Sequence, residues 1–291
     1  GPTDGVVADL DQFVKEQGLR HRVPVDVVHV GDGPFDDDSG HAEWNIDTQA
    51  AVGAAPGLDH VELYFAKDLT DASVAAMFSK WTADPNGPKV ANASFGECEQ
   101  SVVGDLVDQL LGTILDNPSV VQLGIGTGLI DELQPVADPI LQKATLEGRS
   151  VFTASGDTGS SCPVVYLPVA EAGNGVLNQV VPFTNYPATS PFVTAVGGTV
   201  LYTRTGDPAA GVPSTRSSEF AWTAGGGGDS LFVDAPGYQH GVPGLNGPCL
   251  ATPQGQLTNL GALCRGVPDV AALSGDVLTN GYPIVSKATD S

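Results

Sequence analysis

Basic residues are scarce: 12 Lys and Arg stand against 34 Asp and Glu, a formal net charge of −22 at pH 7 over 291 residues. That balance argues against nucleic acid and anionic membrane surfaces as partners, both of which are met through positive charge. It suits an acidic setting, where protonation of carboxylates relieves self-repulsion. Long apolar runs are also missing; none approaches the ~20 residues of a membrane span, although 41% of the chain is hydrophobic. Only four cysteines occur and none forms a Cys-x-x-Cys pair, which removes the usual signature of a structural zinc site or a thioredoxin-type centre. Phosphate loops are absent as well. Gly124-Ile-Gly-Thr-Gly128 does not lead from a strand into a helix, and Gly225–Gly228 is followed by no Lys-Ser/Thr, so the first reads as a loop and the second as flexible or closely approached backbone.

Four cysteines allow three pairings. Cys98 and Cys162 each lie just beyond an apolar run that would end at one sheet edge, and Cys249 and Cys264 flank one loop. Cys98–Cys162 and Cys249–Cys264 are therefore favoured, which implies an oxidising, extracellular compartment; four free buried thiols are the alternative. No signal-peptide pattern is visible, and Gly1-Pro2 reads as a processed start.

What is present is alternation. Val6, Val7, Leu10, Phe13 and Val14 predict a helix over residues 4–17 with Gly18 as its stop. Val25–Val30 predicts a strand, followed by an acidic loop, Asp32–Asp38, whose spacing does not fit an EF-hand and which reads as solvated. Ala42–Val52 predicts a helix, His60–Ala66 a strand, Asp71–Thr82 a helix and Lys89–Gly96 a strand. Asn92-Ala-Ser94 fits the glycosylation pattern but falls inside that expected buried strand and is discounted. A helical region is expected over about 101–147, interrupted near 124–128. Beyond Ser161 the texture changes to short strands and Gly/Pro turns, the clearest strands being Phe192–Val196, Thr199–Thr203 and Val267–Val270. Strand–helix alternation with such a tail predicts an α/β fold: a mainly parallel sheet flanked by helices, in one domain.

Two places carry chemistry. Ser150–Ser155 is a short apolar, β-branched run that stops at Gly156-Asp157-Thr-Gly159. In open α/β sheets, sites collect outside the carboxyl ends of strands, so Asp157 is either a site carboxylate or a turn cap. Asp-Thr-Gly-Ser is also a pepsin-like signature. That chemistry needs two such loops, and the other candidate, Asp38-Ser39-Gly40, lacks the apolar strand before it. The second place is Glu43 and Asp47, four residues apart and so stacked on one helix face. Like charges at that spacing repel, which suggests an inward-facing pair sharing a proton; two exposed acids near a helix N-terminus are the alternative.

In order along the chain, Glu43-x-x-x-Asp47, Asn92-Ala-Ser-Phe-Gly96, Ala154-Ser-Gly-Asp-Thr-Gly159, Tyr186-Pro-Ala-Thr-Ser-Pro-Phe-Val-Thr-Ala-Val-Gly-Gly-Thr199 and Arg265-Gly-Val-Pro-Asp-Val270 resemble the sedolisin (serine–carboxyl peptidase) family, whose kumamolisin-like members share a subtilisin-like three-layer fold. The resemblance implies that Glu43 is the general base beside a nucleophilic serine, that Asp47 orients it, and that Asp157 is the oxyanion-hole acid. Ser94, Phe95 and Gly96 match the edge segment that pairs with an extended peptide. A Glu base must be ionised and a carboxyl oxyanion donor protonated, conditions that meet at acidic pH. None of His21, His29, His41, His60 or His240 sits in a His-Gly-Thr-like turn, so a His-based triad has no local support. The family's serine follows the Arg-Gly-Val-Pro-Asp segment in a Gly-Thr-Ser-Ala-type motif, and this chain reaches Ala288-Thr-Asp-Ser291 without one. Residues 1–291 therefore read as a portion of a single peptidase domain. The family's first strand and its C-terminal nucleophile and calcium segment are expected outside it. The serine would come from further residues or from a complementary chain, and no cofactor is expected within these residues. The stretch 116–136 is longer than the family usually allows. The expected function is a secreted, acid-active peptidase working on proteins or peptides; the alternatives are a noncatalytic peptide-binding relative and a pepsin-like aspartic protease.

Overall fold

A computed structural model describes residues 2–99, 133–159, 162–171, 175–245, 263–274 and 282–287. The chain divides into two compact units, Gly1–Ser94 with Pro139–Arg149 and Tyr282–Ser291, and Phe95–Asp138 with Ser150–Gly281.

The first unit opens with α1 (Pro2–Glu16), β1 (Val25–Val30), α2 (His41–Ala54), β2 (Val61–Ala66), α3 (Asp71–Ala83) and β3 (Val90–Ala93). Strands β1 and β2 are parallel, in register from Val25↔Val61 to Val30↔Ala66, with α2 as the connection between them. Helix α1 buries Leu10, Phe13 and Val14 with Val23 of the following loop and Val52 of α2; Leu19, Val25, Leu58, Val61 and Val285 complete this cluster. The i, i+3, i+4 spacing of the α1 residues is what lets one face of the helix enter a core. On α3, Val74, Phe78 and Trp81 form the inward face by the same rule.

Arg149 closes this unit. It follows α4 (Leu133–Leu146), which has Pro139 within it. The guanidinium is buried, lies 5.2 Å from the Trp81 ring centroid, and donates to the carbonyls of Trp81, Pro88 and Asp84 and to Glu147. Trp81 Nε1 in turn donates to Pro88 O at 2.8 Å.

The second unit is built on β9 (Thr194–Arg204). Strands β5 (Ser150–Ala154) and β13 (Val270–Leu273) pair with it in parallel, and β10 (Thr215–Ala221) pairs antiparallel. Shorter pairings join β4 (Glu97–Cys98) to β8 (Asn185–Tyr186) and β11 (Gly228–Asp234) to β12 (Cys264–Val267).

Several expectations change here. Phe192–Val196 and Thr199–Thr203 are not two strands but one, because Gly197 and Gly198 are sites of close approach, not a turn. A Cβ at Gly197 would lie 2.6 Å from Pro268 Cγ and one at Gly198 2.6 Å from Ser274 Cβ. Val267–Val270 is not one strand but the end of β12 and the start of β13, broken where Pro268 has no N–H to donate. The segment after Ser161 contains a long hairpin, β6 (Cys162–Glu171) with β7 (Gly175–Phe183), where short strands were expected. Lys89–Gly96 is strand only at Val90–Ala93, and Asn92 is exposed there, so burial gives no ground for discounting its glycosylation pattern. The readings for 101–132, including the glycine run 124–128, lie outside the described residues.

Replacing Arg149 with Met would remove the guanidinium's bond to the buried Trp81 carbonyl and its bonds to those of Pro88 and Asp84, which keep Trp81 Nε1 and the Gly87 N–H as donors. The expected loss is about 2–4 kcal/mol of stability, read as a lowered urea midpoint at unchanged slope.

Candidate active site

Helix α2 has no side-chain cap at its N-terminus, where Gly40 stands, and Glu43 lies in its first turn, where the helix dipole favours a negative charge. Its buried residues are Asn45, Thr48, Gln49 and Val52, one stripe at i, i+3, i+4 and i+7. Two residues along a helix is a turn of about 200°, so Glu43 and Asp47 face away from Asn45. Glu43 is exposed and Asp47 half-buried. The inward-facing pair expected from the sequence is thus corrected: the inward stripe of α2 is amide and hydroxyl, and the acids stand on the other side.

Asp47 nevertheless has an organised environment. Ser94 Oγ donates to its Oδ1 at 2.6 Å, and Asn92 Nδ2 donates to Ser94 Oγ at 2.9 Å. Asn92 and Ser94 are two apart at the end of β3, so their side chains share a face. Burial pushes the Asp47 carboxyl above its ordinary value, and hydrogen bonds from Ser94 and Asn92 pull part of the way back. The sequence reading gave Ser94 to substrate pairing and left Asn92 without a role; the period-2 spacing of Asn-Ala-Ser after an apolar strand was the available signal. Ser94, Phe95 and Gly96 form the link between β3 and β4, outside any strand.

Asp157 belongs to the other unit, on the turn after β5. Ser155 continues the ladder through its N–H to Val196 O at 3.0 Å, and its buried Oγ donates to Gly226 O at 2.7 Å. Asn185 Nδ2 donates to Ser155 O at 2.9 Å. Gly156 has φ +114, and a Cβ there would fall 1.7 Å from Asn185 Nδ2, so both backbone angle and space require glycine. Gly226 N donates to Gly156 O, and Gly159 N to Ala224 O at 2.9 Å. The glycine run at 225–228 is therefore the closely approached backbone, not a flexible one. Its partners hold the turn on both sides while the Asp157 side chain stays exposed.

Two of the five motifs meet around one cation. Arg265 has no exposed surface; it donates to Ala188 O (3.2 Å), Val193 O (3.3 Å), Tyr238 Oη (2.6 Å) and Asp269 Oδ2 (2.6 Å). Asp269 also accepts from Ala195 N at 2.8 Å, from Tyr238 Oη at 2.8 Å and from Gln239 Nε2 at 3.1 Å. A further acid that sequence reasoning did not single out is Asp138. It is raised by burial and partly offset by hydrogen bonds from Ser190, Tyr186 and Gln134, and only the flanking prolines mark it.

Cys98 and Cys264 are disulfide-bonded. Cys162 opens β6, but its side chain and Cys249 lie outside the described residues, so the pairings are not among the described contacts. Among the described residues no group of three or more His, Cys, Asp or Glu side chains is placed to hold a metal, and no described helix is long and apolar enough to cross a membrane.

The parallel pairings of β1 with β2 and of β9 with β5 and β13, with flanking helices, define a subtilisin-like α/β fold. The structure matches that of Pseudomonas sedolisin, a serine-carboxyl proteinase solved with two molecules of pseudo-iodotyrostatin. The TM-score is 0.59 at 24% identity, over 93% of this chain and 61% of that one. In sequence the chain is 30% identical over 276 residues to xanthomonalisin from Xanthomonas sp. (strain T-22), covering 83% of this chain and 29% of the relative. It is 28% identical over 264 residues to sedolisin from Pseudomonas sp. (strain 101), covering 85% and 38%. It is 27% identical over 299 residues to physarolisin from Physarum polycephalum, covering 93% and 44%. No protein-family model matches the chain. The chain belongs to the sedolisin family, and it spans less than half the length of these curated relatives.

The raised Asp47 carboxyl fixes a sign. Its ordinary value is 3.8 and the folded value lies above it, so the folded state holds the proton more tightly. The stabilisation from this group is full below about pH 4 and is lost as pH rises through the folded value. In urea titrations across that window, Asp47→Asn is expected to flatten the decline, and Ser94→Ala, which removes a donor to the carboxylate, to carry it to higher pH.

Proposed function

We propose that the protein containing this chain is a secreted, acid-active serine-carboxyl peptidase that hydrolyses peptide bonds with a Ser–Glu–Asp triad. Its serine would lie outside residues 1–291, on residues that follow or on a complementary chain. The observation that carries the reading is the Glu43/Asp47 pair on one turn of α2. Its deeper member is raised by burial and hydrogen-bonded by Ser94 at 2.6 Å, in a chain that aligns with sedolisins over 83–93% of its length.

The chemistry assigns each acid one task. Ionised Glu43 takes the serine proton as the hydroxyl attacks the scissile carbonyl, and returns it to the leaving amine. Asp47, kept nearer its neutral form by burial, donates toward Glu43 and orients it. Asp157, protonated, donates to the oxygen on which negative charge develops. This role needs the protonated carboxyl, since a carboxylate accepts hydrogen bonds and repels an oxyanion. Ser94–Gly96 would take the substrate backbone as an added strand. Disulfides Cys98–Cys162 and Cys249–Cys264 accord with the bonded state of Cys98 and Cys264 and with secretion. Calcium, if the full protein binds it, would belong to its C-terminal segment.

The test uses the full-length protein. A peptide aldehyde should label one serine, and activity should peak below neutrality. Glu43→Gln should lower kcat by roughly 10²–10⁴-fold. Asp157→Ala should lower it by about 10²–10³-fold, whereas Asp157→Asn, a neutral donor at all pH, should lose much of the alkaline decline. Peptide affinity without labelling or hydrolysis would point to a noncatalytic relative, and pepstatin inhibition without serine labelling to an aspartic protease.

A further inference from the structure

The inward stripe of α2 is not an ordinary core face. His41, Asn45 and Gln49 recur every four residues, and each is spent on a polar contact with another part of the first unit. Asp9 of α1 is buried, and its Oδ2 receives His41 Nε2 at 3.2 Å, Asn45 Nδ2 at 3.1 Å and the backbone N–H of Lys287 at 3.1 Å. Gln49 has no exposed surface. Its Nε2 donates to Val285 O at 2.7 Å and to Asn45 Oδ1 at 3.2 Å, while its Oε1 accepts from Val285 N at 2.7 Å. A single side-chain amide thus pairs with both backbone groups of one residue, as a neighbouring strand would. Val285 itself packs against the α1–α2 core cluster. The segment Tyr282–Lys287, more than 230 residues away in sequence, is held at two points, Val285 to Gln49 of α2 and Lys287 to Asp9 of α1.

Apolar packing alone leaves a helix free to roll by small angles, because it is non-directional. Hydrogen bonds are directional and costly to break when buried, so this network fixes both the rotation of α2 and the register of residues 282–287 against α1 and α2. Glu43 and Asp47 stand about 200° around the helix from Asn45, so the direction in which they point is set by what holds the opposite stripe.

We propose that Gln49 and Asp9 are positioning residues for the candidate peptidase site, holding the helix of Glu43 and Asp47 and the segment Tyr282–Lys287 in one fixed register. The inference rests on the peptidase reading above, in which the serine lies outside residues 1–291, on residues that follow or on a complementary chain, and must meet Glu43. Gln49 is the sharper probe. Leu at this position fills similar space and makes none of the three hydrogen bonds. Glu is nearly isosteric; its protonated carboxyl can donate to Val285 O and accept from Val285 N, losing only the bond to Asn45 Oδ1, whereas its carboxylate cannot donate.

In the full-length enzyme, Gln49→Leu is expected to speed hydrogen exchange at the amides of Val285 and Lys287. Displacement of about 1 Å would lower kcat and the rate of serine labelling about 10²-fold, with KM nearly unchanged. Gln49→Glu should approach the parent at the most acidic pH and fall toward the Leu variant as pH rises, each value taken as a ratio to the parent at the same pH and well below the unfolding temperature. If Gln49→Leu does not fold, the acid-dependent ratio for Gln49→Glu decides alone. A folded Gln49→Leu with faster exchange at 285 and 287 but parental kcat would make the contact merely structural and overturn the proposal. So would parental exchange, or a Gln49→Glu ratio that does not change with pH. Failure of the underlying reading is separate and visible in the parent, which would then neither cleave peptide nor take up the aldehyde; the positioning proposal would fall with it.

Discussion

A guanidinium with no exposed surface cannot be left with idle donors, since an uncompensated buried charge costs several kcal/mol. Arg265 meets that demand by drawing carbonyls from Ala188 and Val193, the hydroxyl of Tyr238 and the carboxylate of Asp269 into one shell. Asp269 then holds the N–H of Ala195, the residue after Thr194 where β9 begins. The strand on which β5, β10 and β13 all pair is thereby fixed at its start. The turn that carries Asp157 depends on the same strand, because Ser155 bonds to Val196. Motifs nearly 80 residues apart in sequence are therefore parts of one electrostatic arrangement, with Arg265 as the cation that joins them.

The periodic elements were legible in the sequence because their signals are local. Val25–Val30 was expected as a strand and is one, and helices were expected at nearly the positions of α1, α2 and α3. Hydrophobic spacing reports which residues face a core, and in these segments the core is apolar. The same rule failed on the rotation of α2. There the buried stripe includes Asn45, Thr48 and Gln49, which a hydrophobic pattern scores as outward, while the stacked acids suggest the wrong inward face. Only tertiary partners such as Asp9 and Val285 make amides good core residues, and those partners lie far off in sequence.

The second unit was harder to read for a different reason. Glycine and proline usually mark turns, so the sequence pattern divides β9 at Gly197-Gly198 and breaks the hairpin β6–β7 into short pieces. In the structure those glycines serve close approach within a continuous strand. The site followed the same division between local and distant signals. Glu43, Asp47 and Asp157 could be named from motif spacing. The hydrogen bonds from Asn92 and Ser94 to the Asp47 site, and the hold of Asn185 on the Asp157 turn, arise only when separate segments fold together.

The amide ladder on α2 also bears on how this family of sequences can drift. Asp9, Asn45 and Gln49 share atoms: the Asp9 carboxylate serves Asn45, and the Asn45 carbonyl serves Gln49. A change at one of them strands a buried partner, so single steps through sequence space are penalised where a concerted change of all three, with repacking of residues 285–287, is not. Such a path has to cross a valley. The three positions are then expected to be inherited as a block: lineages that keep one would keep all three, and those that have repacked the helix would have exchanged the whole set.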